Sequence, residues 1–179
     1  MIILGIDPGT TIMGFSIIDV TNNKITLVEM NVERMVKLSD QNAKLKRIFE
    51  CTIELIDQYH PEVLAIEAPF FGKNPQSMLK LGRAQGVVIA ASLSKNLEVF
   101  EYSPRKIKQS ITGKGSASKE QVAAMLKNMN LFSEDSRYYD ATDALAVAVC
   151  HQLQNRINIP VKKYNGWESF ISQNGDRIQ

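Results

Sequence analysis

The sequence predicts an α/β fold: one domain whose five-stranded sheet is part meander and part parallel, flanked by helices. Three observations carry this. Two short apolar runs, Met1–Ile6 and Val63–Ile66, each end in a carboxylate with a proline within two residues, as buried strands meeting a turn do. Apolar residues at helical spacing lie between them, so the second run returns parallel to a strand already in the sheet. Further helical segments surround a last strand-like run, Leu97–Tyr102. A length of 179 residues suits one domain with a sizeable core.

The opening run leads into Asp7-Pro8-Gly9-Thr10, which places Asp7 at the open end of a rigid strand. An Asp before Pro-Gly also starts simple turns, so this residue gains meaning only if other carboxylates converge on it. Ile12–Val20 alternates loosely, Thr21-Asn22-Asn23-Lys24 is a turn, and Ile25–Val32 resumes strand character with Val28, Met30 and Val32 on one face. Ser39 or Asp40 caps a helix running to about Tyr59, with Leu45, Ile48, Phe49, Thr52, Leu55, Ile56 and Tyr59 as its apolar stripe and Pro61 as its stop. The strand Val63–Ile66 then presents Glu67 at the same edge as Asp7. Two such acids repel each other unless a cation sits between them.

Phe70-Phe71-Gly72-Lys73-Asn74 reads as an exposed loop. Its aromatics either fold back onto the core or, with Lys73, form a stacking wedge for nucleic-acid bases. A helix follows from Pro75 or Gln76 to Ser94. Val87-Val88-Ile89-Ala90-Ala91 is apolar all round, which predicts burial on more than one side, in the monomer or at a subunit interface. Ser103–Lys119 holds five bases and no acid, with Lys114 between Gly113 and Gly115. It reads as a phosphate-contacting loop. Ser118-Lys119-Glu120-Gln121 has capping-box spacing and opens a helix carrying Val122, Met125, Leu126 and Met129.

The last strong element begins near Tyr139. Asp140 and Asp143, three apart, share one face of its first turn, where the helix dipole by itself favours acids. Ala141, Leu145, Ala148 and Val149 pack the opposite face, so the acidic face looks outward or into a cleft. His151 lies about 12 Å from Asp143 along the axis at ~1.5 Å per residue, too far to share a ligand set. Residues 1–155 form the expected domain, and 156–179 read as a loosely docked tail with Trp167 and Phe170 and no chemistry of its own.

Composition narrows the class. No apolar run approaches the ~20 residues of a membrane helix. The N-terminus enters strand-like sequence with no signal-peptide pattern. Cys51 and Cys150 lack metal-ligand spacing and read as reduced, buried thiols of a cytoplasmic protein. Residues 68–119 carry nine bases against two acids, whereas the rest carries twelve bases against seventeen acids. A basic middle suits a polyanion, although solvated surface charge accounts for it equally well. Asp7, Glu67, Asp140 and Asp143 are thus the emerging carboxylates, with no competing Cys/His cluster. Such hard oxygen ligands suit Mg²⁺ or Mn²⁺. Two such ions ~3.5–4 Å apart can activate water and stabilise the leaving oxygen of a phosphodiester.

The chain resembles the RuvC family of bacterial Holliday junction endonucleases from residue 1 to about 152. The matching pieces are Ile3-Leu4-Gly5-Ile6-Asp7-Pro8-Gly9, Ala65-Ile66-Glu67, Phe70 with Lys73-Asn74, Leu79-Lys80-Leu81-Gly82, Phe100-Glu101-Tyr102, Lys108-Gln109, Gly115-Ser116-Ala117 and Asp140-Ala141-Thr142-Asp143-Ala144-Leu145-Ala146. The resemblance implies an RNase H-like fold, a five-stranded mixed sheet flanked by helices. It implies a homodimer whose two sites nick opposing strands of four-way junction DNA, with RuvA and RuvB as partners. Asp7, Glu67, Asp140 and Asp143 match the family's catalytic, metal-binding acids. Phe70 matches an aromatic that engages bases near the junction centre, and Lys108 and Lys119 match DNA-contacting bases. Ala68-Pro69 and Phe71-Gly72 depart from the commoner choices around Phe70. An actin-like or sugar-kinase phosphotransferase shares the Asp-x-Gly-Thr opening but needs two such domains. An RNase H-like nuclease acting on RNA fits the basic segment and Phe70 less well, and a non-catalytic junction binder would not need all four acids.

Overall fold

Strand β1 (Ile2–Asp7) takes the middle of the sheet because its side chains are apolar on both faces: Ile3, Leu4 and Ile6 are fully buried. The computed structural model describes residues 1–68, 74–132 and 139–156. β2 (Ile12–Thr21) and β3 (Lys24–Arg34) extend the sheet on one side as an antiparallel meander. β4 (Val63–Glu67) and β5 (Glu98–Tyr102) extend it on the other, both parallel to β1, in the order β3-β2-β1-β4-β5. The β2–β3 turn uses Asn22 and Asn23 at φ 52° and 62°, the left-handed pair that a tight hairpin requires.

One face of the sheet carries α1 (Gln41–Tyr59) and α2 (Pro75–Ser94); the other carries α3 (Pro104–Thr112), α4 (Lys119–Asn128) and α5 (Tyr139–Arg156). Asp40 caps α1 by accepting from the Ala43 N–H at 2.9 Å, and His60, left-handed at φ 48°, ends it before Pro61. The capping box at Ser118 and Gln121 forms as its spacing predicts. Cys51 and Cys150 are buried and unpaired. No helix among the described residues is long and apolar enough to cross a membrane.

Four expectations change. Val28 is not on the inner face of β3: a bulge sets Ile17 opposite Glu29 and Ile18 opposite Leu27, leaving Val28 unpaired and 51% exposed. Ile25 and Leu27 join Met30 against the core in its place. The basic stretch after Ser103 is no loop over most of its length. Ser103 accepts from the Lys106 N–H, Pro104 holds the first helical position, and Ile107 and Ile111 bury one stripe, which makes α3. Within one chain helix α2 buries a single face, through Ala84, Gln85, Val88, Ala91 and Ser92, packed against α1 and β5 among the described residues, so burial on more than one side in the monomer gives way and the subunit-interface alternative stays open. Helix α5, expected to be two-faced, is buried from Ala144 through Gln152 apart from its acidic end, since α3 and α4 cover its back. The Phe70–Lys73 loop and the tail beyond 156 lie outside the described residues.

Candidate active site

β1 and β4 run parallel with Ile6 opposite Ile66. The next residue on each strand, Asp7 and Glu67, therefore leaves the sheet at one edge. Asp7 also sits across from Gly14 of β2. That glycine has no side chain because α5 begins on top of it: a Cβ there would stand 2.0 Å from the Asp140 carbonyl oxygen. A Cβ at Gly5 would likewise stand 2.4 Å from the Ala144 carbonyl oxygen. The two glycines let the helix backbone rest directly on the strands, which carries Asp140 and Asp143 to the strand end. Sequence reading gave neither glycine this role, although a glycine inside a strand is the ordinary sign of close backbone approach.

Carboxylate oxygens of Asp7, Asp140 and Asp143 all lie within 4.8 Å of one another. Glu67 stands outside that trio but in the same cavity. The cavity measures about 190 Å³ and is lined by Asp7, Glu67 and Asp143 together with Pro104, Ile107, Lys108 and Lys119. Lys119, the first residue of α4, is ion-paired with Asp143. Lys114 sits in the turn after α3, exposed and away from the cavity lining. Phe70 and Lys73, expected to contact DNA, lie outside the described residues. His151 is fully buried and neither lines the cavity nor belongs to the trio, with Nδ1 2.9 Å from the Tyr102 hydroxyl and Nε2 2.8 Å from the Asn155 amide.

The electrostatics follow from crowding like charges in a half-buried place. Burial raises the Asp7 carboxyl well above its ordinary range, and the charges of Glu67, Asp143 and Asp140 push the same way against Lys119. Burial and then Asp143 push Glu67 up to about 7, with Lys119 and Lys108 opposing. Asp143 is raised by burial, which Lys119 partly offsets. Burial pulls Lys119 down, yet its hydrogen bond to Asp143 and the surrounding acids outweigh that and hold the ammonium above its usual value. Carboxylates that repel one another this strongly are set for a cation, and an all-oxygen donor set is hard enough for Mg²⁺ or Mn²⁺.

Known proteins are similar to this chain over nearly its whole length. The family model for crossover junction endodeoxyribonuclease RuvC matches residues 3–151. A crossover junction endodeoxyribonuclease RuvC of Christiangramia forsetii is 56% identical over 178 residues, covering 99% of this chain and 93% of that one. One from Bacteroides fragilis is 50% identical over 180 residues, covering 99% and 96%. The structure of Thermus thermophilus RuvC in complex with a Holliday junction substrate superposes with a TM-score of 0.80 at 30% identity, over 87% of this chain and 95% of that one. With the RNase H-like strand order, the converging acids and these matches across nearly its whole length, the chain belongs to the RuvC family of crossover junction endodeoxyribonucleases.

Proposed function

We propose that this chain resolves four-way DNA junctions in recombination and repair, as a magnesium-dependent endonuclease that nicks opposing strands symmetrically. The observation that carries the reading is the convergence of Asp7, Asp140 and Asp143, two of which, Asp7 and Asp143, line one cavity with Glu67, Lys108 and Lys119. Asp7, Asp140 and Asp143 would hold the metal, and Glu67, one strand over, would add a fourth carboxylate to the donor set for two ions. Mg²⁺, or Mn²⁺ in its place, would supply Lewis acidity for phosphodiester hydrolysis when held by these acids. Lys108 and Lys119 face the acids and hold the phosphate to be cut. Lys119 also orients the Asp143 carboxylate by pairing with it, and lowers its proton affinity. Pro104 and Ile107 make one wall apolar, which limits water beside the reacting phosphate. Lys114, Lys73 and Phe70 engage DNA beyond the cut, Phe70 by stacking on a base near the junction centre.

Family membership supports action as a homodimer beside RuvA and RuvB in the cytoplasm. Leu79 and Leu93, 64% and 56% exposed on the outer face of α2, give two copies an apolar surface to share. The test is to incubate the purified chain with labelled four-way junction, linear duplex and RNA, with and without Mg²⁺. Paired nicks in opposing junction strands, only with the metal, are expected. Equal cutting of linear duplex, or cutting in a chelator, refutes the reading.

A further inference from the structure

Beside the acidic cavity lies a second one of about 490 Å³, bordered by Asp140. The β1–β2 turn contributes Thr10 and Thr11, the first turn of α1 contributes Gln41 and Lys44, and the start of α2 contributes Ser77 and Lys80. Asp140 apart, every polar side chain among these donates hydrogen bonds: three hydroxyls, two ammonium groups and a carboxamide. The Gln41 Nε2 is buried without a hydrogen-bond partner. Lys44 and Lys80 make no ion pair among the described residues. One unsatisfied buried donor, Gln41 Nε2, together with hydroxyls and two lysines converging on one hollow, suits an anion with several acceptor oxygens.

We infer that this cavity holds a backbone phosphate of the DNA strand being cut, next to the scissile one. The inference rests on the junction-cutting reading above and extends it to a strand path. Asp140 belongs both to the metal-binding trio and to this cavity's rim. A strand whose scissile phosphate meets the acids therefore runs past Asp140 into the lysines and hydroxyls beyond. Contacts of this kind set the register of a strand without reading its bases. Three chain segments far apart in sequence are thereby fixed by one ligand, which aligns the strand before cutting.

The test substitutes neutral methylphosphonates one at a time along the cut strand of a four-way junction. Binding without divalent cation is measured for the wild type, the Lys44→Ala/Lys80→Ala pair, the Lys44→Arg/Lys80→Arg pair and Lys108→Ala. In the wild type, one position beside the cut should weaken binding about tenfold, as removing a charge-assisted hydrogen bond does. In the alanine pair that position should be silent, and the negative slope of log K against log salt should become shallower by about 0.9 for each duplex phosphate no longer neutralised. The arginine pair should restore both, which excludes misfolding as the cause. Lys108→Ala should silence a different position, at the cut itself. If the alanine pair keeps the wild-type profile at every position, the cavity holds no strand phosphate. The cavity assignment fails equally if inorganic phosphate protects the fold through these lysines while the profile stays unchanged. If the wild type neither prefers nor cuts the junction, the functional reading falls and takes this inference with it. A wild type that cuts normally beside an unchanged alanine pair sinks the cavity assignment alone.

Discussion

Helix α2 carries Val87-Val88-Ile89-Ala90-Ala91 and helix α5 carries Ala144-Leu145-Ala146-Val147-Ala148-Val149, yet only α5 is buried all along that run. The difference lies in their neighbours. α5 crosses β1, β2 and β4 at the middle of the sheet and is covered behind by α3 and α4. α2 lies toward the sheet edge against α1 and β5, with its outer residues in solvent. The helix that presents two of the acids is thus held from both sides, by the sheet and by α3 and α4. A site needing carboxylates from separate elements within a few ångströms gains from such a platform. α2, whose outer side is open, is free to meet something else.

The comparison is broken most strongly at the acidic end of α5. Asp140→Asn and Asp143→Asn, like Asp7→Asn and Glu67→Gln, should lower the single-turnover cleavage rate by roughly 10²–10³-fold or more. Junction affinity should stay near wild type, because removing a carboxylate reduces repulsion of phosphate. Near-normal cutting by two of these variants would remove the metal assignment.

A second test acts on the platform itself. Gly14→Ala places a methyl where the Asp140 backbone now lies, so it should cost about 1–3 kcal/mol in urea unfolding, as overpacking does. Cleavage should fall with it, even in the folded fraction, since Asp140 must shift. A variant with unchanged stability and rate would show that α5 does not rest on the strand.

The third concerns the charge crowded beneath α5. The Glu67 carboxyl is held up at about 7 and that of Asp7 is raised as well, so the folded chain keeps protons that the unfolded chain has already released. Stability of the metal-free protein should therefore fall as pH rises from the ordinary carboxylate range through about 7. In a chain of this size each kcal/mol of lost stability lowers the melting point by roughly 2–4 °C. Glu67→Gln should flatten that dependence, and Mg²⁺ at high pH should restore the melting point. A metal-free melting point that climbs over the same interval would contradict the electrostatic account.

The smallest effect belongs to α2. Leu93→Ser should change the stability of the dilute, dissociated chain by no more than ~0.5 kcal/mol, because the side chain is mostly in solvent. At higher concentration the same change should weaken self-association in sedimentation. Unaltered association would place the pairing surface elsewhere.

Much of the molecule was legible from local chemistry. The strand-terminal acids Asp7 and Glu67, the Asn22-Asn23 hairpin, the Asp40 cap and the Ser118 capping box each depend on residues next to one another in the chain. Adjacent residues fix turns, caps and strand ends whatever the rest of the protein does. Helix α3 is legible too, through Ser103-Pro104 and the Ile107–Ile111 spacing, although its run of bases has the composition of a phosphate-contacting loop. Tertiary structure alone decided that the four acids divide into a trio and an outlier, because that depends on how closely α5 approaches β1 and β2 at Gly5 and Gly14. It also decided that α5 is enclosed while α2 is half bare, and that Thr11, Gln41, Lys44 and Lys80 face one hollow beside Asp140. These outcomes depend on which distant segments meet when the sheet closes under its helices, and no short stretch of sequence holds that distance.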